Sequence, residues 1–197
     1  MLKTIVYIIT SYLVGSISFA YVICSKFYSI DIRQYGSGNP GSTNVLRVLG
    51  KKPALIVFTA DLLKGFIMVS LGKIIGGESL ALLSAIAVVI GHDWSVFLNF
   101  KGGKGIATSF GVIIGISPKV GLILFIIGIS VIYISRYVSL GSITAAVSLP
   151  ILLLVLKYPA KHIIAGLILG IIAVYRHRDN IERLLAGKEN KLGQKAR

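Results

Sequence analysis

Cysteine is nearly missing from this 197-residue chain: Cys24 stands alone. One cysteine excludes an internal disulfide, and within an apolar stretch it reads as a small hydrophobic filler. Charge is scarce too, at 14% of residues beside 55% apolar ones, whereas soluble domains average about 25% and about 45–50%. That balance excludes a soluble globule and identifies an integral membrane protein. What charge there is leans one way, to a net +14. In a soluble protein such an excess would suggest nucleic acid. Here the lysines and arginines fall in the breaks between apolar runs, where they set topology and meet anionic lipid. No aromatic-interleaved basic patch accompanies them, so no nucleic acid is expected as a partner. The first apolar run, residues 4–24, lacks a small-residue cleavage pattern behind it and is too long for a signal-peptide core, so it is kept as a span.

Five more runs approach spanning length, at residues 53–72, 80–97, 120–133, 141–156 and 162–175, judged against the ~20 residues that a helix needs. Residues 106–117 form a seventh, short candidate, equally compatible with a re-entrant segment. Charge decides the parity. If all seven cross with the N-terminus outside, fifteen Lys and Arg lie inside: Lys26, Arg33, Arg47, Lys51, Lys52, Lys101, Lys104, Arg136, Arg176, Arg178, Arg183, Lys188, Lys191, Lys195 and Arg197. Five lie outside, namely Lys3, Lys73, Lys119, Lys157 and Lys161. That asymmetry follows the positive-inside rule. The expected architecture is an all-α polytopic bundle of about seven spans, the fourth short, in one domain over residues 1–197. The N-terminus is outside, and the C-terminus and every polar motif are cytoplasmic.

Four inner segments hold those motifs. In "YGSGNPGSTNVLRVLG", residues 35–50, Gly38, Asn39, Pro40 and Gly41 force a turn, and Ser42, Thr43 and Asn44 are suited to cap a short helix to Leu49. Amides at such a helix start attract anions. A plain interfacial loop fits the same composition. In "FKGGKGIATSFG", residues 100–111, a glycine run lets backbone N–H groups approach a phosphate, Lys101 and Lys104 add charge, and a helix beginning near Ile106 points its positive end into the same place. It is not a Walker A loop, which needs G-x-x-x-x-G-K-[ST]. In "RYVSLGS", residues 136–142, Ser139 and Ser142 share a helix face or serve as N-caps. In "YRHRDNIERL", residues 175–184, His177 and Asn180 are three apart beside Arg176 and Arg178. Within the membrane, Asp61 and Lys64 at i, i+3 are a functional candidate with each other as partner, since intramembrane charge is costly; a structural ion pair near the interface is the more modest alternative. His92 and Asp93 raise the same question.

Taken together, "GSGNPGSTNVLR", "GHDWSVFLNFKGGKGIAT", "RYVSLGSI" and "YRHRDNI", in this order and spacing, resemble the bacterial acyl-phosphate:glycerol-3-phosphate acyltransferases. The likeness runs from "YLVGSISFAYV" at Tyr12 to the basic tail. Two positions depart from the family pattern: Ser42 stands where alanine is usual, and Ser95 where proline often follows the histidine motif. Neither removes a group that would do chemistry.

The resemblance implies a bacterial cytoplasmic (inner) membrane enzyme in phospholipid biosynthesis, its site facing the cytoplasm. Acyl phosphate and glycerol 3-phosphate would be its substrates, lysophosphatidic acid and phosphate its products, with membrane lipid around it and no obligate protein partner. Carried onto this chain, the site comprises His177, Asn180, Lys104 and Ser142 for catalysis. Ser37, Asn39, Thr43, Asn44, Arg47, Lys101, Gly102, Gly103 and Gly105 would hold substrate. Arg47 and Lys104 would bind phosphate oxygens, with Ser37, Ser142 and the glycine-loop backbone completing the cradle, while His177 and Asn180 orient the glycerol. The resemblance also favours a substrate phosphate over His177 as proton acceptor.

Other acyltransferase chemistry is not suggested. H-x-x-x-x-D is missing: five residues after His92, His162 and His177 stand Phe97, Leu167 and Glu182. There is no D-x-x-D-G cluster and no Cys/His cluster, so neither metal nor cofactor is expected. The rival reading is a small transporter or channel for an anionic or phosphorylated solute, with Asp61, Lys64 and the glycine-broken fourth helix lining its path. Transporters often carry internal repeats, and none is found here.

Overall fold

The computed structural model describes residues 1–194; Lys195 and Arg197, two of the inner charges counted above, lie outside them. Among the described residues the regular structure is helical throughout. The elements are α1 (Leu2–Ser16), α2 (Phe19–Tyr28), α3 (Ser42–Leu49), α4 (Lys51–Asp93), α5 (Ile106–Ile116), α6 (Pro118–Ser135), α7 (Val138–Val155), α8 (Ala160–Arg176) and α9 (Arg178–Leu185), with short 3-10 turns at Ile32–Gln34 and Val96–Leu98. Three of these are long and apolar enough to cross a membrane, or five if the bent pairs α1–α2 and α8–α9 each count as one.

Helix α4 is in fact a hairpin. Gly76 and Gly77 leave helical geometry, Gly77 at φ 71° where only glycine is unstrained. The two arms then run back along each other: the Ser84 hydroxyl reaches the Met68 carbonyl at 3.3 Å, and Lys64 lies beside His92. The runs expected at 53–72 and 80–97 are therefore two arms of one turn, the second ending at Asp93 rather than at Phe97.

Small residues let the helices close on one another, as membrane interfaces require. Gly15 of α1 lies against the Val88 carbonyl while Gly91 lies against that of Tyr12. Gly65 meets Thr108 of α5, and Gly111 meets Leu62. Gly128 and Gly141 seat α6 on α7, and Gly170 seats α8 on Ala146. The outward faces stay apolar and exposed, as at Ile67, Ile74, Leu122, Ile134 and Val155.

The run at 4–24 is broken, with a 42° bend between α1 and α2. Such a break inside apolar surroundings must have its carbonyls satisfied. Lys64 does this, donating to Gly15 O at 3.0 Å and Ile17 O at 2.8 Å. It also pairs with Asp61 at 2.7 Å and meets His92 Nδ1 at 2.9 Å. Ser95, one of the two departures from the family pattern, bonds the Ser16 carbonyl at the same break.

Hairpins and short turns sort the connections to two ends of the bundle. Residues 29–50, 94–105, 136–137 and 176–194 gather at one. The α4 turn and the α7–α8 turn meet at the other, where Glu78 pairs with Lys161 at 2.5 Å and with His162 at 3.1 Å.

Candidate active site

A cavity of about 1000 Å³ opens at the motif end. Its mouth is lined by α3 and the loop before it, the glycine loop, the start of α7 and the α8–α9 corner. Ser37, Asn39, Thr43, Asn44, Arg47, Lys101, Gly102, Lys104, Gly105, Ser142, His177 and Asn180 all line it. Deeper in, the walls become Phe110, Ile113, Leu124, Leu149 and Leu169. Four segments spread over more than 140 positions thus share one polar mouth above one apolar interior.

The glycine loop differs from the expected cradle. Gly102 and Gly103 do not offer their N–H groups to a ligand, because they donate them to the Asp93 and His92 carbonyls at 3.2 and 3.0 Å. Both glycines are steric necessities: a Cβ on Gly102 would strike the His92 carbonyl, and one on Gly103, which is not among the cavity-lining residues, the His92 ring. Their own carbonyls accept from Arg176, which reaches Gly102 O at 3.0 Å and Gly103 O at 2.6 Å while lying over Trp94. The loop is therefore wrapped around an arginine. The amides that follow, at Lys104, Gly105 and Ile106, have no backbone carbonyl partner among the described residues. They open α5, whose first-turn N–H groups point the same way.

Asn44 is also differently employed. Its Oδ1 accepts from Ser37 N–H at 2.9 Å and its Nδ2 donates to the Ile32 and Tyr35 carbonyls. Both amide functions hold the preceding loop, so Asn44 shapes the mouth from behind. Helix α3 starts without a side-chain cap from Ser42, Thr43 or Asn44. Arg47, one and a half turns further, is half-buried and makes no ion pair among the described residues.

At the α8–α9 corner, His177 Nδ1 lies 2.7 Å from the Ala173 carbonyl. Nδ1 must carry the proton in that bond, so Nε2 presents a lone pair. Burial, reinforced by Lys104, lowers the His177 pKa to about 4, so the ring is neutral at physiological pH. Lys104 donates to Asn180 Oδ1. Burial, then the nearby Arg183, lowers its pKa to about 8, leaving it mostly charged near neutrality.

One participant carried no motif. Glu189 accepts from Ser139 at 3.0 Å, Asn180 at 2.7 Å and Arg183 at 2.8 Å. Burial raises its pKa, but these bonds outweigh that and hold it below the usual range. It is brought there because the tail crosses the α6–α7 turn, where Leu192 N–H donates to Arg136 O at 2.6 Å. An acidic residue in a tail this basic was the one available signal. Ser142 spends its hydroxyl proton on Val138 O at 2.9 Å and keeps its lone pairs toward the cavity side. Among the described residues no group of three metal-ligating side chains occurs.

The sequence pattern of the family described as glycerol-3-phosphate acyltransferase matches residues 5–187. The chain is 53% identical to the glycerol-3-phosphate acyltransferase of Thermoanaerobacter pseudethanolicus over 187 residues, covering 95% of this chain and 94% of the relative. It is 48% identical to that of Alkaliphilus metalliredigens, with 95% of each covered. Crystal structures of PlsY (YgiH), an integral membrane glycerol 3-phosphate acyltransferase, superpose with TM-scores of 0.93 in the glycerol 3-phosphate form and 0.91 in the lysophosphatidic acid form, at 42% identity over 97% of this chain and 96% of theirs. By pattern, relatives and fold alike, the chain belongs to the glycerol-3-phosphate acyltransferase family.

Proposed function

We propose that this protein transfers a fatty acyl group from acyl phosphate to the sn-1 hydroxyl of glycerol 3-phosphate, giving lysophosphatidic acid and inorganic phosphate. The observation that carries the reading is the cavity itself: a cation-rich mouth over an apolar interior fits two phosphate-bearing substrates, one of them with a fatty chain. Arg47, Lys104, Arg183 and the amides from Lys104 to Ile106 bind phosphate oxygens by charge-assisted bonds. The sn-2 hydroxyl, which does not react, donates to His177 Nε2, and Asn180, fixed by Lys104 and Glu189, orients the backbone of the acceptor.

The hydroxyl oxygen attacks the acyl carbonyl carbon, and negative charge collects on the carbonyl oxygen. Lys104 and the α5 amides stabilise that charge where it develops. The bond from the acyl carbon to the phosphate oxygen then breaks, and phosphate leaves with the electron pair. The hydroxyl proton passes to a substrate phosphate. His177, neutral and held by Ala173, takes no part in that transfer and positions the acceptor through its other, unreacting hydroxyl. The direct assay is phosphate release from acyl phosphate by the purified protein in detergent, which must depend on glycerol 3-phosphate. Equal release without the acceptor would refute acyl transfer.

The same reading makes the chain a single domain of seven crossings in the bacterial cytoplasmic membrane, with the hairpin arms as the second and third and α5 as the short fourth. The sorting of connections to two ends supports it, and the motif end is then cytoplasmic. Cysteines placed at Lys3 and Lys73 should label from outside, and at Lys101 and Lys188 from inside. Both termini labelling from one side would overturn this topology.

A further inference from the structure

The apolar interior has a floor, and the floor is one layer of side chains thick. Along α7 the cavity face runs Gly141, Ser142, Ala145 and Ala146, all small, and then reaches Leu149. Helix α8 shows the same change between Ala173 or Gly170 and Leu169. Small side chains leave the space, and leucines end it at one depth. Beneath lies a second void of about 20 Å³, bounded by Ile116, Val120, Leu153 and Gly166 and sharing Ile113, Leu149 and Leu169 with the cavity above. Its far side is closed by Ser117, which bonds Tyr158 at 2.6 Å, and by His162.

We infer that Ile113, Leu149 and Leu169 form the stop that sets how long an acyl chain the enzyme accepts. This rests on the acyl-phosphate reading above. From Ser142 at the mouth to Leu149 is seven residues of helix, about 10 Å, and the lower void of about 20 Å³ lies directly beyond the stop. A chain that fits above the stop buries all of its methylenes; a longer one must bend or leave part of itself outside. Leu149 and Leu169 are almost wholly buried, at 4% and 3% exposure, and belong to the central core, so the stop is rigid rather than a side chain that swings away. The alternative course for the chain is sideways, between Leu55 and Phe125, which line the cavity and are exposed. A chain leaving there would meet no stop.

The test is the dependence of kcat/KM on acyl length, measured with acyl phosphates of graded chain length on the full-length protein in detergent. Leu149→Ala opens the upper cavity into the lower void and should move the optimum to longer chains. Each methylene newly accommodated should gain about fourfold relative to wild type, equivalent to about 0.8 kcal/mol. Ala145→Leu narrows the cavity above an intact floor and should move the optimum to shorter chains. If Leu149→Ala is not recovered folded, Ala145→Leu decides alone. Length profiles unchanged from an active wild type would overturn the stop and favour the sideways course. A wild type that turns over no acyl phosphate of any length would instead overturn the donor assignment, and the stop with it.

Discussion

The Asp61–Lys64–His92 cluster and the Arg47–Lys104–His177 cluster both lie below the surface, yet their charge is arranged in opposite ways. In the first, Lys64 is saturated by Asp61, His92 and two carbonyls, and its side chain is 3% exposed. In the second, the positive charges of Arg47, Lys104 and Arg183 face Glu189 as the one buried acid, and the remaining coordination opens into the cavity. A balanced cluster holds helices together, whereas an unbalanced one is shaped for an anion. The same polar vocabulary serves fold in one place and ligand in the other.

Breaking the balanced cluster should have the largest effect. Lys64→Met leaves Asp61 buried and unpaired, which costs about 3–5 kcal/mol. Thermal unfolding in detergent should show a large loss, partly recovered when Asp61→Asn is added. Equal stability of Lys64→Met and wild type would remove the distinction between the clusters. In the unbalanced cluster, Arg47→Ala or Lys104→Ala should lower kcat/KM at least about tenfold, the loss of a charge-assisted bond of roughly 1.5–3 kcal/mol. The melting temperature should hold or rise, because repulsion among cations is relieved. Near-normal kinetics in both variants would sink the phosphate cradle.

A subtler break comes from pH. With its pKa at about 8, Lys104 loses its charge as pH climbs past that value, so KM for glycerol 3-phosphate should rise there. Lys104→Arg should carry the rise out of the accessible range, and a rise that persists unchanged points to another group. The smallest effect concerns His177. Its depressed pKa means that the unfolded chain takes up the proton first, so stability present above about 6.5 is lost as pH falls toward 4. His177→Gln should blunt that loss and weaken glycerol 3-phosphate binding while keeping measurable turnover. The acid limb of the rate profile should survive in this variant, because a phosphate ionisation near ~6 lies behind it. Disappearance of the limb would return His177 to the role of base.

Most of the mouth was legible because the motifs are local: glycine turns, paired serines and a histidine with its asparagine announce themselves at short spacing. The Asp61–Lys64 pair was legible for the same reason, being one helical turn apart. Arg176 as the pin of the glycine loop was not, since its partners lie more than seventy positions away. Nor was the loss of the Gly102 and Gly103 amides to His92 and Asp93, which depends on where the hairpin arm ends. Glu189 stood outside every motif and reaches the site only because the tail is bound to the α6–α7 turn.

Composition by itself determined that this is a helical membrane protein. Lipid tolerates only backbones that satisfy themselves, so apolar length already dictates helices. Clustered motifs likewise determined the family. The tertiary structure alone decided which amides remain free for a ligand, which charges are cancelled, and how deep the apolar cavity runs. Those depend on distances between helices, which close approach at Gly15, Gly91, Gly128 and Gly141 sets. No periodicity along the chain encodes them.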